Sequence, residues 1–424
     1  MAGAGLGAAV QVTGAADGPA GDVLDVVELA RTLVRTSSPN PPGDERAVAG
    51  VVRDALPALG LPAAEVLALD PARPNLLVTL DLGPGGSHLV LSGHLDTKPV
   101  GDATWTVDPL GADLDGDRLY GLGSADMKGA IAAMLVAASR LARAPGGRGR
   151  LSLLLTADEE DGATYGAHHV ASTRPLSADA VVIGEPGGIE EDFDRVHLVS
   201  RGIARLRLVA RGRQGHSSLS GVPGTRNAGV DAARLVTAVA DDLELAVPAN
   251  DDALEGWAAT VNTGMTFRGG VGYGVLPGRV AVDTEVRLLP GMDRGGVTEA
   301  FTGLVTRVAG DTGADLAVEY DAAPNDWLPP AAVPAGHAVA RAAQEACEAV
   351  LGAAPPLSVF PGTTDATWFA AAQGIATLPA LGPGLLRRAH GADEWVSVAA
   401  VRRAVDLYEH LARAFTARDG EGTS

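Results

Sequence analysis

Cysteine and lysine are nearly absent from this chain. Cys347 is the only cysteine among 424 residues, so no internal disulfide can form and a thiolate metal cluster is excluded. A reducing cytoplasm is the expected setting. Lys98 and Lys128 are the only lysines, against abundant arginine, alanine and glycine, a bias typical of GC-rich codon usage. Both lysines sit inside the motif segments described below, which hints at a local role. Long apolar runs are missing as well: none reaches the roughly 18 residues that suggest a membrane span. Residues 1–21 are rich in Ala and Gly but lack a basic start and a sustained apolar core, so a disordered tail is expected rather than a signal peptide. Positive charge is in deficit. A formal net charge of −19 repels nucleic acid and anionic membrane surfaces, and neither is expected as a partner.

What is present is a chain long enough for two cores. Helical periodicity runs over Val23 to Val34 and Asp44 to Leu59, interrupted by the proline-rich stretch Ser37 to Gly43. Short apolar strands are predicted over Asn75 to Leu80, His88 to Leu95, Leu151 to Thr156 and Ala178 to Ile183, with helices over Met127 to Leu141 and Tyr165 to Ser172. This alternation predicts an α/β fold, a mostly parallel sheet covered by helices. From about Ile203 the pattern becomes strand-helix-strand-strand-helix-strand, ending near Tyr320, which is the order of a ferredoxin-like unit. Helix and strand patterns resume from His337 to Phe415 and can complete the first sheet. The expected organisation is therefore a catalytic domain over 22–202 and 322–424, with an inserted domain over 203–321.

Metal-ligand residue types recur at the predicted strand ends. His94 and Asp96 close one strand, Glu159 and Glu160 follow the next, and Glu185 follows a third. Open α/β sheets bind ligands at these carboxyl ends, so a shared site is expected. With Asp126 from the tight Gly121 to Gly129 segment and His390 near the end of the chain, these residues make a chemically sensible two-metal set: His94, Asp126, Glu160, Glu185 and His390. One carboxylate must bridge, and Asp126 is the natural candidate. The other four then divide into one imidazole and one carboxylate per ion. Ligation by nitrogen and oxygen without sulfur suits two Zn2+, with Co2+ or Mn2+ able to substitute. Two such ions about 3.5 to 4 Å apart acidify a water and polarise a carbonyl, which predicts hydrolysis. Glu159, adjacent to a ligand but itself unassigned, is the expected general base. Asp96 is expected to accept the second ring N–H of His94 and fix its tautomer.

The segments Ser92-Gly93-His94-Leu95-Asp96-Thr97, Tyr120 to Gly129, Asp158-Glu159-Glu160, Gly184-Glu185-Pro186 and Ala389-His390-Gly391 resemble the zinc aminoacylase/carboxypeptidase family. Acetylornithine deacetylase, succinyl-diaminopimelate desuccinylase and glutamate carboxypeptidase belong to that group. The resemblance implies two zinc ions bridged by Asp126, Glu159 as base, and dimerisation through the insert. It also implies that His216, in Gln214-Gly215-His216-Ser217, reaches a partner subunit's site to stabilise a tetrahedral oxyanion. Asn262, Arg287, Gly362 and Thr363 resemble positions that receive the substrate's carboxylate and backbone, a role for which arginine's planar fork is suited.

Lys98 and Leu122 depart from the family pattern at positions that are not ligands, leaving substrate identity open. His168, His169, His197 and His337 match no ligand position and are expected to be surface or structural. The expected function is a cytoplasmic, homodimeric amidohydrolase cleaving an N-acyl amino acid or a small peptide with a free carboxylate. Acyl transfer or amide formation at the same electrophile is one rival reading. A binding protein that kept the fold is another, although such a protein has no need for Glu159 and a complete ligand set.

Overall fold

Seven consecutive buried residues, His88–His94, form the strand on which the molecule is organised. In this computed structural model, which describes residues 24–247 and 256–418, that strand lies inside a six-stranded sheet. The N-terminal tail of residues 1–21 lies outside the described residues. The sheet order is Glu65–Leu67, Asn75–Gly83, Gly149–Thr156, His88–His94, Ala180–Ile183, Ala376–Leu378. The first two pairings are antiparallel and the other three parallel, so the parallel portion is the half that carries the strand ends of interest. Glu65–Leu67 has no counterpart in the sequence reading, because it is a short edge strand with little burial and no alternation to detect.

The helix Gly129–Arg143 is buried at every position from Gly129 to Ser139. It packs against the sheet on one side and against the helices Val26–Arg35 and Val398–Thr416 on the other. Its alanines let these layers approach closely. It starts two residues later than the periodicity suggests, because a wide turn, Ser124–Lys128, precedes it.

The inserted unit has a sheet in the order Thr260–Asn262, Arg279–Leu288, Gly202–Arg211, Asp315–Tyr320, all antiparallel, with helices Ala228–Asp242 and Arg294–Thr312. This is the ferredoxin-like arrangement. The second strand of the expected pattern is two short pieces, Thr260–Asn262 and Phe267–Gly269, with Gly264 in the left-handed region between them (φ 74°). Among the described residues there are four further small sheets; in one of them Leu357–Phe360, expected to complete the first sheet, pairs instead with Val196–Ser200, which also pairs with Ala331–Ala332. Their strands are too short to show a period.

A buried ion-pair network braces the loops beside the parallel strand ends. Arg73 meets both oxygens of Glu45 at 2.6 and 2.8 Å and reaches Asp158 Oδ1 at 2.9 Å. Glu45 is fully buried, and Asp158 immediately precedes Glu159. Arg73→Ala leaves two buried carboxylates without their cation. A destabilisation of about 3–5 kcal/mol is expected by chemical denaturation, whereas a loss under about 1 kcal/mol would show that the network is dispensable.

Candidate metal centre and active site

Three of the four strands of the parallel half deliver a polar residue to one crevice. His94 ends its strand, the turn Glu159–Asp161 follows Gly149–Thr156, and Glu185 follows Ala180–Ile183. Gly382 lies against Gly184 so closely that a Cβ there would stand 2.0 Å from the Gly184 carbonyl oxygen, and its N–H donates to the Glu185 carbonyl at 2.8 Å. Only glycine permits that approach. His390 adopts a left-handed backbone (φ 62°) that is uncommon for a residue with a side chain.

Asp126 joins two groups of ligand-type atoms. Its Oδ1 is 2.9 Å from His94 Nε2, which is also 3.5 Å from Glu185 Oε1. Its Oδ2 is 3.2 Å from His390 Nε2, which is 3.1 Å from Glu160 Oε2. Within each group, His94–Asp126–Glu185 and Asp126–Glu160–His390, the donor atoms lie within 4.8 Å of one another. Each group offers one imidazole and two carboxylates, one of them shared, a donor set that fits a divalent cation on either side of Asp126.

The surrounding contacts hold this geometry. The Asp96 carboxylate accepts the backbone N–H groups of Glu159 and Glu160 at 3.2 and 3.1 Å and the Asn40 amide at 2.8 Å. The expected bond from the His94 ring to this carboxylate is not made: His94 Nδ1 lies 3.0 Å from the Asp96 main-chain oxygen and 3.6 Å from Oδ1. The carboxylate is already turned toward the acidic turn, and the backbone carbonyl takes its place beside the ring. Glu394, absent from the sequence reading, accepts the N–H groups of both Ala125 and Asp126 at 2.9 and 3.1 Å. Its only sequence signal is its position four residues after His390. Lys128 is fully buried, donates to the Thr36 carbonyl at 2.7 Å and is pushed down to about 7 by burial, against the pull of Glu394 and Asp96. Lys98 is bonded to Glu160 through its backbone N–H at 3.1 Å and through its ammonium.

The electrostatics follow from crowding carboxylates out of water. Burial, reinforced by Asp126, pushes Glu185 up to about 8. Glu159 is raised well above the usual carboxylate range by burial and then by Glu185. Burial alone would lower His390, but the carboxylates of Asp126 and Glu160 outweigh it and lift the ring to about 11. His94 is raised in the same way by Asp126, Asp96 and Glu185. Without other cations, the imidazoles keep protons to balance the carboxylates.

Asp126, Glu159, Glu160, Glu185 and His390 line a cavity of about 340 Å³ together with Arg287, Gly362 and Thr363. Arg287 Nε is 2.6 Å from Glu285, and its Nη1 is 3.4 Å from Thr363 Oγ1. Apolar walls from Ile203, Leu328, Phe360 and Trp368, and the guanidinium of Arg205, complete the lining and carry no sequence motif. His216 and Asn262 are exposed on the insert and do not line this cavity. The His216 ring instead accepts from Ser218 N–H at 3.2 Å. The other histidines have structural contacts: His197 is buried against the Gly187 carbonyl at 2.9 Å, His168 packs on Trp368, and His337 caps the helix Ala338–Leu351.

Residues 90–414 match the model of peptidase family M20/M25/M40. The succinyl-diaminopimelate desuccinylase of Parvibaculum lavamentivorans is 30% identical over 96% of this chain and 99% of its own length. That of Xanthomonas campestris pv. campestris is 32% identical over 91% and 98%. Among solved structures, an M20 family metallo-carboxypeptidase from Sulfolobus solfataricus superposes with a TM-score of 0.76 at 19% identity, covering 93% of this chain and all (100%) of that one. A dipeptidase from Saccharomyces cerevisiae gives 0.73 at 15% identity, covering 93% and 96%. Taken with the metal-ligand groups around Asp126, these matches establish that the chain belongs to peptidase family M20/M25/M40 and is a metal-dependent amide hydrolase.

Proposed function

We propose that the chain hydrolyses the amide bond of an N-acyl amino acid or a small peptide bearing a free carboxylate. The observation that carries this reading is one cavity lined by the shared Asp126, by Glu185 of one ligand group and Glu160 and His390 of the other, and by Glu159 and Arg287. His94, Asp126 and Glu185 would hold one zinc ion, and Asp126, Glu160 and His390 the other, with cobalt or manganese able to replace zinc. When bound, such ions supply Lewis acidity toward a carbonyl and lower the pKa of water.

Glu159 takes the proton of the attacking water and delivers it to the departing nitrogen. Its carboxylate has no hydrogen-bond partner among the described residues, so it is free to do both. Arg287, with Gly362 and Thr363 beside it, receives the free carboxylate, and Asn262, exposed outside the single-chain cavity, would meet the substrate backbone from a second copy. The activity named for the curated relatives makes N-succinyl amino acids the first substrates to try. Residues 22–202 and 322–424 form the catalytic domain in this proposal, and the insert over 203–321 pairs with a second copy in a cytoplasmic homodimer. His216 from that copy completes the site, consistent with its exposure and its absence from the cavity of a single chain.

Metal must displace the protons on His390 and Glu185, whose values near 11 and 8 keep both protonated at pH 7 in the metal-free protein. Zinc affinity should therefore rise with pH through 8, and binding at pH 7 should release protons. Titration calorimetry in buffers of different ionisation heat measures that release; identical heats in all buffers would contradict it. Glu159→Gln should retain metal but lower kcat by about two to four orders of magnitude, and wild-type turnover would remove Glu159 from the base role. Mixing inactive His216→Ala with inactive Glu159→Ala protein under subunit exchange should restore about a quarter of wild-type activity, since about half the dimers are hybrids with one intact site. No recovery despite demonstrated exchange would place His216 outside the neighbouring site.

A further inference from the structure

The strand Gly202–Arg211 carries three arginines at alternate positions on one face, Arg205, Arg207 and Arg211. Two of them are neutralised by carboxylates from both flanking strands or their ends. Arg207 meets Asp321 at 2.5 Å and Asp283 at 3.5 Å, and Arg211 meets Asp315 at 3.7 Å and also pairs with Glu319. Neither lines the cavity.

Arg205 does line it and has no such partner. Among the described residues, no side-chain hydrogen bond or ion pair reaches its guanidinium. The acidic residue directly opposite in the ladder is Glu285, but its carboxylate turns to Arg287 at 2.6 Å. Lys98, the other cation in the lining, is taken up by Glu160. The half-buried cavity thus holds two guanidinium groups on adjacent strands: Arg287, already braced by Glu285 and Thr363, and Arg205, with all its donors open. An arginine fork with nothing to bind, on a strand whose other arginines are paired, is matched by a carboxylate supplied from outside.

We propose that Arg205 is a specificity-determining residue that binds a second carboxylate of the substrate, separate from the one received by Arg287. The preferred substrates are then dicarboxylates. The extra carboxylate sits either at the far end of the acyl group or on the side chain of the amino acid. This rests on the amide-hydrolase reading above and sharpens it.

Two matched substrate pairs separate the sources: N-succinyl against N-butyryl derivatives of one neutral amino acid, and N-acetyl-aspartate against N-acetyl-alanine. Wild-type protein should prefer the dicarboxylate in at least one pair. Arg205→Ala should lower kcat/KM for that dicarboxylate about ten- to a hundredfold more than for its partner, and Arg205→Lys should restore part of the difference. The pair that responds identifies the source. Equal losses within both pairs, or no preference to lose, would overturn the proposal. Calorimetric binding of succinate against butyrate, and of aspartate against alanine, to the zinc-loaded protein reads the same residue without turnover. If none of these amides is cleaved but the discrimination between acids disappears in Arg205→Ala, the proposed substrate class fails while the carboxylate site stands; if wild-type protein does not discriminate between the acids, the site fails too.

Discussion

Too many carboxylates in too little water is the constraint on which the rest of this structure depends. Asp96, Asp126, Glu160 and Glu185 are all buried within one crevice, with Glu159 and Asp365 beside them. Charges brought out of water destabilise the fold unless counter-charge or hydrogen bonds offset the loss. Two imidazoles, Lys98 and Arg205 are too few for these six carboxylates, and Arg287 is already paired with Glu285. The network around Asp158, the clasp of Asp96 on two backbone N–H groups, and the grip of Glu394 on the Asp126 turn all spread negative charge onto donors. What remains is concentrated on the two faces of Asp126, where divalent cations balance it best.

Much of this architecture is legible in the residues. His88–His94 is buried throughout, carries Leu89-Val90-Leu91 at its centre and ends in histidine, so both its burial and the location of its end are encoded locally. The same holds for Gly149–Thr156 and Ala180–Ile183, whose following residues face the same crevice because parallel strands in one sheet end on one side. The order of strands and helices in the insert was sufficient for its ferredoxin-like arrangement, since its long elements, Gly202–Arg211, Arg279–Leu288 and the two helices, show their periods.

What was hidden depends on contacts between distant segments. Glu394 stands in an acidic stretch that looks solvated; its role comes from two N–H groups nearly the whole catalytic region away. Asp96 was expected to orient the His94 ring, yet the choice between its carboxylate and its carbonyl is decided by where the Glu159 turn comes to rest. Arg205 is one of three similar arginines, and only the pairing of the other two sets it apart. His216 and Asn262 were named through resemblance, and their exposed positions lie outside the cavity of a single chain.

The Asp96 clasp has a further effect on how the site can vary. Both oxygens of one carboxylate hold the N–H groups of consecutive residues, Glu159 and Glu160. The group proposed to move protons and the group proposed to hold metal are therefore mounted on a single rigid hinge pin. A substitution that shifts one shifts the other, so the spacing between proton transfer and metal is tuned as a unit, and drift in this enzyme's reach toward new substrates is channelled to the cavity walls, Ile203, Arg205 and Arg287 on one side and Leu328, Phe360 and Trp368 on the other.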